Sequence, residues 1–412
     1  MSGPRVDLHT GDALATLATL PANSFDAMLC DPPYGIAFMG REWDKGVPSA
    51  EVWREALRVL KPGAFALVAC GTRTQHRMAC ALEDAGFEIR DLIAWIYSSG
   101  FPKSLDVSKA IDNAAGAERE VIGVDEDRLR RKPNGMKTAG ATAYAYSQVQ
   151  QETDARITAP ATPDAARWHG YGTALKPAME LWTLVRKPLD GTVAANALQH
   201  GVGGLNIDGC RVGVDPDDAA ARASRNGRGT ARPEAGYSGG WHGDAPRGAV
   251  EGGRWPANVV HDGSDEVTER FPDTVTHGGG TIDRNAETAA RGKMYQGGWG
   301  DRECDQRFNG DSGSAARFFY CAKAGRKERE GSTHPTVKPL TLTTYLATLL
   351  LPPAGHGPRR VLVPFSGIGS EVIGALRAGW DHATGIEIDP EYVAVAHERL
   401  APILAQPTLF EP

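Results

Sequence analysis

Cysteine is scarce in this chain and never spaced for a metal or a disulfide framework. Six cysteines are scattered through 412 residues. None forms a CxxC pair, so neither a zinc site nor a stapled scaffold is indicated, and a reducing, cytoplasmic setting is expected. Long hydrophobic runs are missing as well. None approaches the roughly 18 residues of a membrane helix; the nearest, "LTLTTYLATLLLPP", is short, carries threonines and reads as a buried helix. The N-terminal "MSGPRVDLHTGD" lacks the basic-then-apolar order of a signal peptide. Positive charge is not in excess either. A net charge of −6 gives no overall drive toward nucleic acid, so any such binding has to come from a local basic face. No internal repeat of fixed period is seen.

What the chain does hold is ordinary for a soluble globular protein: 41% hydrophobic and 23% charged residues, enough for one large core or two moderate ones. Residues 1–122 alternate strand and helix. "DAMLC" and "AFALVAC" are apolar runs suited to strands buried on both faces of a parallel sheet. Between them "EVWREALRVLKPG" sets Trp53, Ala56, Leu57 and Leu60 on one helical stripe, with Pro62-Gly63 as the expected stop. Residues 123–173 are polar and read as a flexible basic loop region. Residues 174–189, with "ELWTLVRKPL", read as a strand returning to the sheet. Residues 190–315 are glycine-dense and weakly periodic, a loop-rich insert with strand-like pieces such as "WPANVVHDG". From 316 to 412 the α/β pattern resumes: "ARFFYCAKA" and "RRVLVPF" as strands, "SEVIGALRAG" as a helix, "HATGIEI" as a strand, and a closing helix. The fold class is α/β.

Two stretches could form a basic face. "DRLRRKPNGMK" is one; "ARASRNGRGTARP", with Arg222, Arg225, Arg228 and Arg232, is the other. A solvated loop is the alternative for both.

The segment "FDAMLCDPPYGIAF" is the most informative. An apolar strand ends in Asp31, then two prolines and a tyrosine. Ligands of open α/β sheets gather beyond the carboxyl ends of strands. Pro32-Pro33 makes a stiff turn, and the Pro32 carbonyl is an acceptor beside the Asp31 carboxylate. Tyr34 adds a flat face with a polar tip. Two converging acceptors and an aromatic face suit an amino group on a planar ring, such as the exocyclic amine of adenine or cytosine. Accepting its N–H bonds frees a lone pair that the ring otherwise delocalises. A base in duplex DNA has to leave the stack to reach such a pocket. The bland reading is a tight turn in which Asp31 caps a helix.

Further on, "VLVPFSGIGSE" is a strand, a glycine turn and a helix start, where backbone N–H groups can receive an anionic group. "GIEID" follows at the end of the next strand, placing Glu387 for paired ribose hydroxyls. Its alternative is a surface acid opening the last helix.

Together "DPPYG", "THPTVKPL", "VLVPFSGIGS" and "GIEIDPEYV" resemble the amino-group DNA methyltransferases that use S-adenosylmethionine. Their order, catalytic motif before cofactor loop, resembles the permuted β group, and "SGFPKS", "LKPAMELWTLVRKPL", "RWPANVVHDGS" and "ARFFYCAKA" look similar to phage and prophage members. The resemblance implies a circularly permuted, Rossmann-like methyltransferase fold with a target-recognition insert at 190–315. Asp31, Pro32, Pro33 and Tyr34 would be catalytic. Cofactor contacts would come from Asp12, Asp31, Thr336, Lys338, Phe365, Ser366, Gly367, Gly369, Ser370, Glu387 and Ile388. Asp12 also suits an N-cap for the helix "ALATLATL", and Lys338 a solvated helix entry. Lys103, Arg222, Arg225, Arg228 and Arg232 would contact DNA. One departure stands out: Val363 occupies a position that is usually acidic in the family, for which Glu371 or Asp12 would have to compensate.

The implied reaction is direct transfer of the sulfonium methyl to the N6 amine of adenine in double-stranded DNA, without covalent intermediate or metal. Cys30 is expected to pack, not react. Aspartate at position 31 favours adenine by family tendency; cytosine-N4 transfer is the alternative, as is a DNA-binding regulator that keeps the fold without turnover. No nuclease motif is seen, so an orphan enzyme outside a restriction–modification pair is expected, as a homodimer.

Overall fold

The computed structural model describes residues 3–36, 46–100, 104–126, 155–213, 253–276, 311–322 and 337–405. Its strands are β1 (Arg5–Thr10), β2 (Phe25–Cys30), β3 (Leu60–Cys70), β4 (Glu88–Ile96), β5 (Val121–Val124), β6 (Arg156–Thr158), β7 (Met179–Arg186), β8 (Val259–His261), β9 (Asp273–Thr276), β10 (Asp311–Ser314), β11 (Tyr320–Cys321), β12 (Arg360–Pro364) and β13 (His382–Glu387). The chain divides into two compact units. Met1–Ser98, Met179–Glu330 and Val337–Pro412 form the larger; Ser99–Ala178 with Gly331–Thr336 form the smaller.

The larger unit is built on a nine-stranded sheet in the order β1-β13-β12-β2-β3-β7-β4-β8-β11. Only β7 runs against its neighbours, β3 and β4; the other pairs are parallel. The central strands are apolar along their whole length because both faces are covered. Their side chains divide by the two-residue period of a strand. Ala27, Leu29, Phe65, Leu67 and Ala69 face a core closed by the helices Leu340–Leu350 and Ser370–Arg377. Met28, Cys30, Ala66, Val68 and Cys70 face a second core closed by Ala13–Thr19, Ala50–Val59 and Gln75–Asp84. "LTLTTYLATLLL" is accordingly helical and buried, and no helix among the described residues is long and apolar enough to cross a membrane.

Strand order reverses between β12 and β2. From β12 the chain moves outward to β13, whereas from β2 it moves the other way, to β3. Asp26 ties this seam together at its far end: its carboxylate accepts from the Arg360 N–H at 2.7 Å and pairs with Lys61 at 2.5 Å.

Some local expectations need correction. The helix after β2 stops at Val59, before Pro62-Gly63, because Leu60 already pairs with Phe25 in the sheet. Pro62 and Gly63 instead lie inside β3, where the register slips between Phe25 and Ala27; an irregularity of that kind tolerates a residue with no N–H to donate. "ARFFYCAKA" gives only a two-residue strand, since Ala315–Phe318 closes into a 3-10 turn. Part of the glycine-dense stretch joins the main sheet: β8 pairs with β4.

In the smaller unit β5 pairs antiparallel with β6, with Val121 opposite Thr158 and Val124 opposite Arg156. The buried Asp112 carboxylate organises it, accepting from Arg119 (2.6 Å), the Ala161 and Thr162 N–H groups (3.0 Å each) and the Thr162 hydroxyl (2.7 Å).

Candidate active site

β2 and β12 lie side by side, with Ala27 opposite Val361 and Met28 opposite Leu362. At their carboxyl ends the Cys30 thiol donates to the Pro364 carbonyl at 3.5 Å. The next residue on each strand, Asp31 and Phe365, therefore leaves the sheet at the same edge and at the point where strand order reverses, the place where open α/β sheets bind ligands. Cys30 is fully buried, and burial, reinforced by Asp31 and Glu371, pushes its thiol far up. It packs and is no nucleophile.

Asp31 is held from two sides. Its Oδ1 accepts from the Tyr34 hydroxyl at 2.7 Å, and its Oδ2 pairs with the Lys338 ammonium at 2.9 Å. Lys338 stands just before the helix Leu340–Leu350, yet it is buried, not solvated. It also pairs with Glu180 Oε2 at 3.0 Å, donates to the Tyr34 hydroxyl at 3.1 Å and lies 5.4 Å from the centre of the Tyr34 ring. Burial lowers the pull of Lys338 on its proton, but Asp31 and Glu180 more than reverse that and raise it far above its ordinary value. Burial, with Asp31 and Glu180 adjacent, likewise raises Tyr34. The tyrosine's polar tip is thus turned back onto Asp31. Pro32 is buried and Pro33 half-buried in the turn between them.

Across the seam the bend Phe365–Gly369 takes unusual backbone conformations. Phe365, Gly367 and Gly369 all have positive φ, at 59°, 51° and 81°. For phenylalanine this is strained, and its ring is anchored against Trp53, with centroids 6.4 Å apart. Ser366 is buried, its N–H bonded to Ile386. Glu387, at the end of β13, accepts from the Gly367 N–H at 2.8 Å and the Asp389 N–H at 2.9 Å. Its carboxylate therefore braces the glycine bend. Burial raises its pKa, against the pull of those N–H groups. Gly11 donates to the Glu387 carbonyl at 2.8 Å, which brings Asp12 to the same edge. Asp12 also caps the first helix, accepting from Ala15 at 2.9 Å. Ile388 is exposed beside them. The Ser370 hydroxyl accepts from Arg399 at 3.2 Å.

The structure thus brings together Asp12, Asp31, Pro32, Pro33, Tyr34, Lys338, Phe365, Ser366, Gly367, Gly369, Ser370, Glu387 and Ile388 along one edge of the larger unit. Lys103, Arg222, Arg225, Arg228, Arg232 and Thr336 lie outside the described residues. Glu180 was not anticipated, although an acid inside the apolar "MELWTLVR" is a readable signal. Glu371 is buried, with one carboxyl oxygen lacking a partner. Among the described residues no cluster of histidine, cysteine and acid suits a metal ion.

Among solved structures the chain is similar to TTHA0409 of Thermus thermophilus, described as a candidate DNA modification methylase and complexed with S-adenosyl-L-methionine. The identity is 16%, over 97% of this chain and 94% of that one, with a TM-score of 0.38. The M1.HpyAVI–SAM complex matches at 13% identity over 96% and 100%, with a TM-score of 0.35. The PvuII cytosine-N4-specific DNA methyltransferase matches at 11% over 100% and 91%, with a TM-score of 0.38. No curated protein matches the chain. Residues 25–127, which carry Asp31 and Tyr34, match the model of the DNA methylase family of N6 and N4 methyltransferases.

Proposed function

We propose that this protein is an S-adenosylmethionine-dependent DNA methyltransferase that methylates an exocyclic base amine, the N6 amine of adenine. One observation carries the reading: Asp31, inside the segment that matches the DNA methylase family, leaves the sheet beside the Phe365–Gly369 bend. An amine acceptor and a donor-holding turn at adjacent strand ends are what methyl transfer between two bound molecules requires.

The residues fit the cofactor. Gly367 and Gly369, both at positive φ, carry no side chain and let a ligand approach the backbone of the bend closely. The unpartnered oxygen of Glu371 awaits a donor or a cation. S-Adenosylmethionine supplies an electrophilic methyl group. The chain supplies placement: the Asp31 carboxylate and the Pro32 carbonyl accept from the target amine, which draws it toward tetrahedral geometry. Each carboxylate oxygen of Asp31 keeps a further lone pair beside its bonds to Tyr34 and Lys338. Lys338 and Glu180 fix where that carboxylate points, and Tyr34 covers the base. Arg222, Arg225, Arg228 and Arg232, with Lys103, hold DNA phosphates. Homodimerisation follows the resemblance to the β group, and gel filtration with light scattering reads it out.

The deciding experiment incubates genomic DNA with methyl-labelled S-adenosylmethionine and identifies the labelled nucleoside after digestion. Label in N6-methyl-2′-deoxyadenosine supports the reading. Label in N4-methyl-2′-deoxycytidine moves the target to cytosine. Cofactor binding without transfer to any DNA leaves a regulator that keeps the fold.

A further inference from the structure

Three carboxyl groups, Asp31, Glu180 and Glu371, converge on the reversal point between β2 and β12, and among the described residues one ammonium, Lys338, answers them. Lys338 is spent on Asp31 and Glu180. Glu371, in the first turn of the helix Ser370–Arg377, is 4% exposed, and its Oε1 has no hydrogen-bond partner among the described residues. A buried carboxyl in that state is costly unless it stays protonated or gains a positive partner. Other groups around it do not supply the charge. Tyr34 and Cys30 are neutral acids whose protons burial holds more tightly. Arg399, from the last helix, donates to the Ile368 carbonyl at 2.6 Å and to the Ser370 hydroxyl at 3.2 Å. Val363, at the neighbouring strand end, is buried and apolar. Counted over the described residues, the site is short of one cation.

We propose that Glu371 is the counter-charge for the cationic amino-acid end of S-adenosylmethionine, and that its carboxyl passes a proton to solvent when the cofactor binds. The proposal rests on the methyltransferase reading and deepens it. Before binding, burial and the Asp31 carboxylate hold Glu371 up at about 8, so it is mostly neutral near neutrality. A cofactor cation stabilises the carboxylate, and the released proton goes to the buffer; no bond other than O–H is made or broken.

Calorimetric titration of the full chain with S-adenosylmethionine, near pH 7 and in two buffers of different ionisation heat, tests this. Wild type should release close to one proton, falling away above about pH 9, where Glu371 is already ionised. Glu371→Gln, a stand-in for the protonated acid, should release none and bind about 10- to 100-fold more weakly. Methylthioadenosine carries the nucleoside without either cation, so both proteins should bind it equally, which also shows that the variant folds. S-Adenosylhomocysteine keeps the ammonium but has a neutral thioether. Equal weakening there assigns Glu371 to the ammonium; unchanged binding assigns it to the sulfonium. A variant matching wild type in affinity and proton release, or losing methylthioadenosine as strongly, overturns the proposal. Wild type that binds neither nucleoside sinks the methyltransferase reading with it.

Discussion

The ammonium of Lys338 bridges Asp31, 2.9 Å away on the turn after β2, and Glu180, 3.0 Å away on the antiparallel strand β7. One buried cation thus holds two carboxylates from different strands. Lys338→Met removes it while keeping most of the side chain's volume, and leaves the acids unanswered. Deleting one partner of a buried ion pair costs about 3–5 kcal/mol. Urea unfolding should show a loss of that order near pH 8 and a smaller one at lower pH, where Glu180, which burial raises, takes up its proton. Equal losses at both pH values would mean that the lysine acts by packing alone.

Asp31→Ala leaves Lys338 paired with Glu180 and is expected to fold. Losing an acceptor aimed at the reacting amine costs about 10²- to 10³-fold in turnover. Labelled methyl transfer to DNA should fall by that factor, with S-adenosylmethionine affinity changed only a few-fold. Undiminished transfer would remove Asp31 from the chemistry.

Much of this site was legible in the sequence. "DPPYG" and "FSGIGS" marked two strand ends as candidates for one site, and the structure sets β2 and β12 side by side in register. Less legible was what the polar groups do to each other. Lys338 reads equally well as a solvated residue at a helix entry; its burial depends on β7 crossing between β3 and β4, a pairing among residues far apart in the chain. Glu180 stands out as an acid in an apolar strand, but its pairing with Lys338 was hidden for the same reason. Pro62-Gly63 misled because a helix stop and a strand irregularity share one local signature, and only the pairing of Leu60 with Phe25 decides between them.

Stability should fall as pH rises from about 5 to about 8. Burial and Asp31 hold Glu371 at about 8 in the folded chain, against an ordinary 4.5. Between those values the folded form keeps a proton that the unfolded form has lost, so stability is fullest below the lower value and is lost through the upper one. The slope approaches about 1.4 kcal/mol per pH unit for one such group. Burial raises Glu180 in the same direction. Urea midpoints measured at unit steps should drift down across this window, and Glu371→Gln should flatten the drift. Midpoints that rise with pH would contradict a neutral Glu371.

Tyr34 depends on a glycine for its place. Gly71 follows β3 at the same sheet edge, and its carbonyl receives the Gln75 N–H at 3.0 Å at the start of a helix. A Cβ on Gly71 would stand 3.3 Å from the Tyr34 ring. Alanine therefore asks the ring to move by a few tenths of an ångström, which a residue on a loop can do. Valine asks for more, and the ring cannot retreat freely, because its hydroxyl is bonded to Asp31 and faces Lys338. Displacement then carries through to the Asp31 carboxylate itself. Gly71→Ala should keep nearly full transfer, whereas Gly71→Val should lose about 100-fold, the cost of misplacing a reacting group by about an ångström. Cofactor binding, assigned in the proposed function to the bend after β12, should be the same in both. Steady-state methylation kinetics beside cofactor titrations separate these effects, and full turnover by Gly71→Val would show that the Tyr34 ring need not sit where it does.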